Sequence, residues 1–224
     1  MSHRLIDLSR VISDGMITDP RLPAPVVRSV WTREESSARY APGVSFQIAS
    51  VEVVQNTGTY LDAPFHRYAG RPGVWNIPLA CVADLPGALV DYREMATAGR
   101  RGIEVQDLRT IDPKGAAVLL CTGWDRRWGT EQYRDNSHPF LSEAAANFLA
   151  QSGAALVGLD TINADDFADL HRPAHSVLLD AGIPIVENLT GLEALLGKPF
   201  HFTAAPARFE GLGSFPVRAY AALL

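Results

Sequence analysis

Only two cysteines occur in the 224 residues, Cys81 and Cys121, and each sits inside an apolar stretch. That supply argues against a disulfide framework and leaves a thiolate metal site poorly provided for, so a reducing, cytoplasmic setting is expected. The sequence has no run of about 18 apolar residues, and its opening, MSHRLIDLSRVISDG, has no apolar core of signal-peptide length. A membrane span and export are therefore not expected. Lysine and arginine never gather into a long basic run and the net charge is -5, so neither nucleic acid nor an anionic membrane is an expected partner. Neither a GxGxxG fingerprint nor a Walker-type glycine loop is present, which removes support for a nucleotide cofactor. No serine lies in a GxSxG setting, which disfavours a serine hydrolase. Internal repeats and linker-like stretches are also missing.

What remains is an ordinary globular composition, 47% hydrophobic and 20% charged, on a chain long enough to bury a core as a single domain over residues 1–224. Short apolar runs rich in β-branched residues predict buried strands at 48–54, 88–91, 116–121, 154–159 and 183–186. Helical patterns lie between them. Ser142 can cap a helix over 142–151 with Gly153 as its stop, and Pro173 suits the first turn of a helix over 173–180 with Gly182 beyond it. A third pattern, 191–196, is short. Strands and helices in this order predict an α/β or α+β fold, a mixed sheet with packed helices.

Chemistry concentrates in Gln55 to His66, QNTGTYLDAPFH. Asp62 and His66 are four apart with Ala63-Pro64 between them, and proline favours a rigid turn there over a helical one. Spacing alone suits a plainer arrangement, Asp62 accepting backbone bonds in a turn and His66 a satisfied histidine. A second polar group shifts the weight. His175 falls in a predicted helix, and Glu187 ends the apolar run IPIV, where a carboxylate is costly to bury without a partner. Asp, His and Glu together suit zinc, manganese or a similar divalent ion.

The segment resembles the H-x-G-T-H-x-D-x-P-x-H motif of the cyclase family of hydrolases, which includes kynurenine formamidases and isatin hydrolases. Gly58, Thr59, Asp62, Pro64 and His66 match it. The resemblance runs on through LIDLSRVISDGM, VLLCTGW, LVGLDT, HSVLLDAGIPIVENLTGL and APARFEGLGSFPVRAYA. By this resemblance Asp62, His175 and Glu187 are metal ligands and His66 moves protons, while Asn56 and Tyr60 stand where the family has two metal-binding histidines. A single divalent ion is therefore expected in place of a pair, with small cyclic or aryl amides and related acyl compounds as the substrate class and a homodimer or higher homo-oligomer as the assembly. Two alternatives stay open. A metal-free cyclase, dehydratase or isomerase would use Tyr60, with Asn56 orienting the substrate and His66 moving protons. A catalytically silent binding protein would keep only the pocket.

Other residues carry weaker expectations. Thr59 in the motif and Trp75 just beyond it are candidates for substrate contact, and Trp31, Trp124 and Trp128 read as core or interface. His138 and His201 read as structural, and His171 as a possible support to the site. Asp165, Asp166 and Asp169 read as a solvated acidic patch near a helix start.

Overall fold

A computed structural model describes residues 4–224. The chain runs β1 (Leu5–Asp7), β2 (Val26–Trp31), α1 (Arg33–Ser37), β3 (Ile48–Glu52), β4 (Tyr60–Asp62), β5 (Leu85–Asp91) and α2 (Arg93–Thr97). It continues β6 (Gly102–Ile103), β7 (Ala117–Cys121), β8 (Phe140–Leu141), α3 (Glu143–Gln151), β9 (Leu156–Leu159), α4 (Pro173–Asp180) and β10 (Ile185–Glu187). The last strands are β11 (Phe200–Thr203), β12 (Ser214–Pro216) and β13 (Tyr220–Leu223). Nine strands form one mixed sheet in the order β1-β13-β11-β5-β7-β9-β10-β4-β12. The inner four, β5, β7, β9 and β10, are parallel, and antiparallel strands extend them on both sides.

Parallel strands covered on both faces read as unbroken apolar runs, and β7, AVLLC, is buried at every position. Its side chains still alternate. Ala117, Leu119 and Cys121 enter one core cluster with Leu156, Val186 and Phe202, while Val118 and Leu120 enter a second with Leu149, Leu178 and Ile185. Helices α3 and α4 pack against each other on this second face. Burying one such leucine contributes about 1.5–3 kcal/mol. Burial pushes the Cys121 thiol up, which keeps it a neutral core residue.

The two clearest helical expectations hold. Ser142 caps α3 by accepting from Ala145 N, Pro173 opens α4, and Gly153 and Gly182 follow with positive φ. The pattern over 191–196 forms only a short 3-10 turn, Leu192–Leu195. The expected buried strand over 48–54 needs correcting. There β3 pairs only with β2, in a separate two-stranded ribbon whose side chains are largely exposed. β-branched residues report strand propensity, and burial depends on whether a layer covers them. Among the described residues no helix is long and apolar enough to cross a membrane.

Candidate active site

The site is built around β4, which lies between β10 and β12 in the sheet. Successive strand residues face opposite ways, so Leu61 enters the core while Tyr60 and Asp62 share the other face. Cross-strand register sets their neighbours: Tyr60 is opposite Glu187 and Asp62 opposite Ser214. The Tyr60 hydroxyl donates to Glu187 Oε2 in a short bond, and Glu187 Oε1 accepts from Ala164 N at 2.7 Å. Burial, reinforced by Glu187 and Asp62, pushes the Tyr60 phenol well above its ordinary value, so it stays neutral. Burial also raises the Glu187 carboxyl to about 7.

Asp62 Oδ1 accepts from Ser214 Oγ in a short bond and from Asn56 Nδ2 at 3.4 Å. Burial opposes its charge, but His66, His175 and Ser214 together hold the carboxyl below its usual range. Ser214 Oγ also lies 2.8 Å from His66 Nδ1. His66 itself ends the 3-10 turn Pro64–His66, and Ala63 N, just before that turn, donates to Gly213 O at 2.8 Å. A side chain at Gly213 would put its Cβ 2.5 Å from His66 Cα, so only glycine allows this approach.

Helix α4 supplies His175, fixed from behind by Asp165. One Asp165 oxygen lies 2.5 Å from His175 Nδ1, and the other accepts from Ala174 N at 2.5 Å, capping a helix whose own N-cap position is Arg172. A carboxylate on Nδ1 directs Nε2 at the cavity, which is how metal-ligating histidines are usually oriented. Nε2 lies 3.6 Å from Asp62 Oδ2 and 3.5 Å from Glu187 Oε1. Burial works against a charged ring, yet Asp165, Asp62 and Glu187 raise His175 to about 10.

The three residues fit one divalent ion. A ligand atom from each of Asp62, His175 and Glu187 lies within 4.8 Å of the others, all three side chains buried. Asp62 Oδ2 is buried without a hydrogen-bond partner, and such an atom is costly unless a cation or proton meets it. Asn56 and Tyr60 fit a second ion poorly. Tyr60 is a neutral phenol bonded to Glu187, and Asn56 offers a weak amide oxygen.

Asn56, Tyr60, Asp62, His66, His175 and Glu187 all line one cavity of about 260 Å³. Two expected substrate contacts do not. Thr59 is buried and ties the motif down, donating to Asn188 O at 2.8 Å and accepting from Arg10 N at 2.9 Å. Trp75 packs edge-on against Phe65 and is outside the cavity wall. His138 is buried beside Phe167, His201 pairs with Asp84, and His171 is exposed at the helix start. The expected solvated patch also needs correcting at Asp165, which is fully buried behind His175. Ser214 had no motif to announce it; only strand register places it beside Asp62.

A family model described as "Putative cyclase" matches residues 6–166. The chain belongs to the cyclase family. Its curated relatives along nearly the whole chain are enzymes, kynurenine formamidases. It is 28% identical to the kynurenine formamidase of Bacillus cytotoxicus over 214 residues, 96% of this chain and 95% of that one. Among solved structures it superposes on isatin hydrolase A from Labrenzia aggregata with a TM-score of 0.81, at 21% identity over 97% and 93% of the two chains. A predicted metal-dependent hydrolase from Bacillus stearothermophilus gives 0.76, at 24% identity over 99% and 98%. These two likenesses concern the cyclase fold.

Proposed function

We propose that this cyclase-family member hydrolyses a small cyclic or aryl amide with one divalent ion, zinc or manganese, held by Asp62, His175 and Glu187. The observation that carries the reading is Asp62 Oδ2, buried without a hydrogen bond and facing His175 Nε2 and Glu187. When bound, the ion supplies Lewis acidity toward a carbonyl oxygen and toward water.

The chain's own residues do the rest. Asp62 is ionised, so the Ser214 hydroxyl donates to it and accepts from His66 Nδ1–H. That tautomer leaves His66 Nε2 as the basic nitrogen, assigned from the hydrogen-bond network. His66 then takes the proton of the attacking water and returns it to the leaving nitrogen. Tyr60 positions Glu187 by donating to Oε2, while Ala164 N donates to Oε1. Asn56 orients Asp62 from the cavity side.

The metal-free alternative would need the Tyr60 proton for the substrate, but Glu187 already receives it. The direct test is hydrolysis of formanilide and N-formylkynurenine by protein loaded with zinc or manganese. Turnover that chelator abolishes and added metal restores is expected. Turnover indifferent to chelator would place the chemistry on Tyr60 and His66 alone.

The proposal extends to assembly as a homo-oligomer in a reducing cytoplasm, where Cys81 and Cys121 stay free. On the ribbon of β2 and β3, Val27, Val30, Ile48 and Val51 are 44–61% exposed. Its segment 26–52 carries three arginines and three glutamates, net zero on a chain of net charge -5, so two copies can meet there without repulsion. Sedimentation should find a dimer or larger, and Val27→Glu with Val51→Glu should give a monomer. A monomeric wild type would contradict this.

A further inference from the structure

The cavity is acidic at its base and basic at its mouth. Asp62 and Glu187 form the buried base. Arg172 and Arg21 stand in the wall above, and a second depression shares Asp19, Arg21, Ile162 and Phe167 with it and adds Arg134 and Asn136. The mouth therefore carries three arginines against one carboxylate, Asp19. That is a net charge of +2 on a chain of net charge -5. Arg21 is already committed to Asp19, with contacts of 2.9 and 2.6 Å.

Arg172 is different. Its Nη2 donates to Asn163 Oδ1 at 2.7 Å and its Nε lies 3.6 Å from Asp165, which fix one edge of the guanidinium. Nη1 has no hydrogen-bond partner among the described residues, and the side chain remains 31% exposed. The backbone is in the left-handed region, φ 55°, immediately before Pro173. Neither arginine nor a residue preceding proline favours that conformation, and strain of this kind collects at functional sites.

We propose that Arg172, with Arg134 farther out, is a specificity-determining residue that selects substrates bearing a carboxylate. The guanidinium fork suits a carboxylate in two-point contact. The apolar Phe167 and Ile162 flank the path between mouth and base, so the substrate's body would lie on them, its scissile amide at the base and its carboxylate at the mouth. This rests on the hydrolase reading for the amide, but the selection itself can be measured without turnover.

Phenylacetate and phenylacetamide, alike except for the charge, are the probes, titrated calorimetrically into the protein with its metal and again after chelation. Wild type should bind phenylacetate about tenfold or more tightly than the amide, as expected for a charge-assisted two-point contact. Arg172→Met should remove the difference, and Arg172→Lys should restore part of it through charge alone. Arg134→Gln, which has no contact with Asp165, should reduce the preference by about half and serves if Arg172→Met does not fold. Three results would overturn the proposal: a preference that survives in Arg172→Met, equal weakening of both ligands, which marks a purely structural role through Asp165, or loss of the preference on chelation, which puts the carboxylate on the ion. Formanilide turnover by the same wild-type samples reports separately on the hydrolase reading.

Discussion

Replacing His66 by glutamine should lower kcat by roughly 10²–10⁴-fold, the usual contribution of a positioned general base, and leave the bound metal at the wild-type level. His66 reaches the ion site through Ser214 and through Asp62 Oδ1, 3.7 Å away, and it is partly exposed, so its loss removes no ligand and opens no cavity in the core. The pair of readouts matters. A large loss of kcat with metal intact assigns proton transfer to His66, whereas loss of metal together with activity would make His66 part of the ion's cage. With the metal intact the thermal midpoint should change little, because the imidazole is partly exposed and makes one hydrogen bond, to a hydroxyl.

Asp165→Asn should weaken metal binding by about 10- to 100-fold, the range found when the carboxylate behind a ligating histidine is removed. The amide keeps an oxygen for Ala174 N and so retains most of the α4 cap. What it loses is the anionic acceptor on His175 Nδ1. The ring is then free to turn, and Nε2 is no longer fixed toward Asp62 Oδ2 and Glu187 Oε1. Competition with a fluorescent chelator measures the affinity, and circular dichroism on the same sample shows whether α4 has survived. Unchanged affinity with an intact helix would mean that Asp165 serves the helix alone.

Much of this arrangement was legible in the residues, and the parts that were not share a cause. The inner strands β7 and β9 showed because burial on both faces leaves a continuous apolar run, and α3 and α4 showed because Ser142, Pro173, Gly153 and Gly182 mark their ends. Asp62, His66, His175 and Glu187 were readable as a group from residue chemistry and from the motif, and they do line one cavity. Ser214 and Asp165 were not, because their positions depend on which strand pairs with β4 and on the path of the chain before α4. Local spacing holds no record of either. The strand expected over 48–54 is there but not buried, for a related reason: β-branched apolar residues specify a strand, while the layer that covers it is set elsewhere in the chain. Trp75 shows the converse, an aromatic that packs on the motif's own Phe65 and still takes no part in the cavity wall.

The central claim is that Asp62, His175 and Glu187 hold one divalent ion, with Asn56 and Tyr60 outside its ligand set. Metal content by elemental analysis tests it most directly, on protein purified without chelator or a nickel column, for wild type and for His175→Ala. The predicted result is about one zinc or manganese per chain in wild type, as for a catalytic site with three protein ligands and an open position, and essentially none in the variant. A folded wild-type protein that carries no metal and takes none up when offered zinc or manganese would contradict it, as would a variant that keeps its ion.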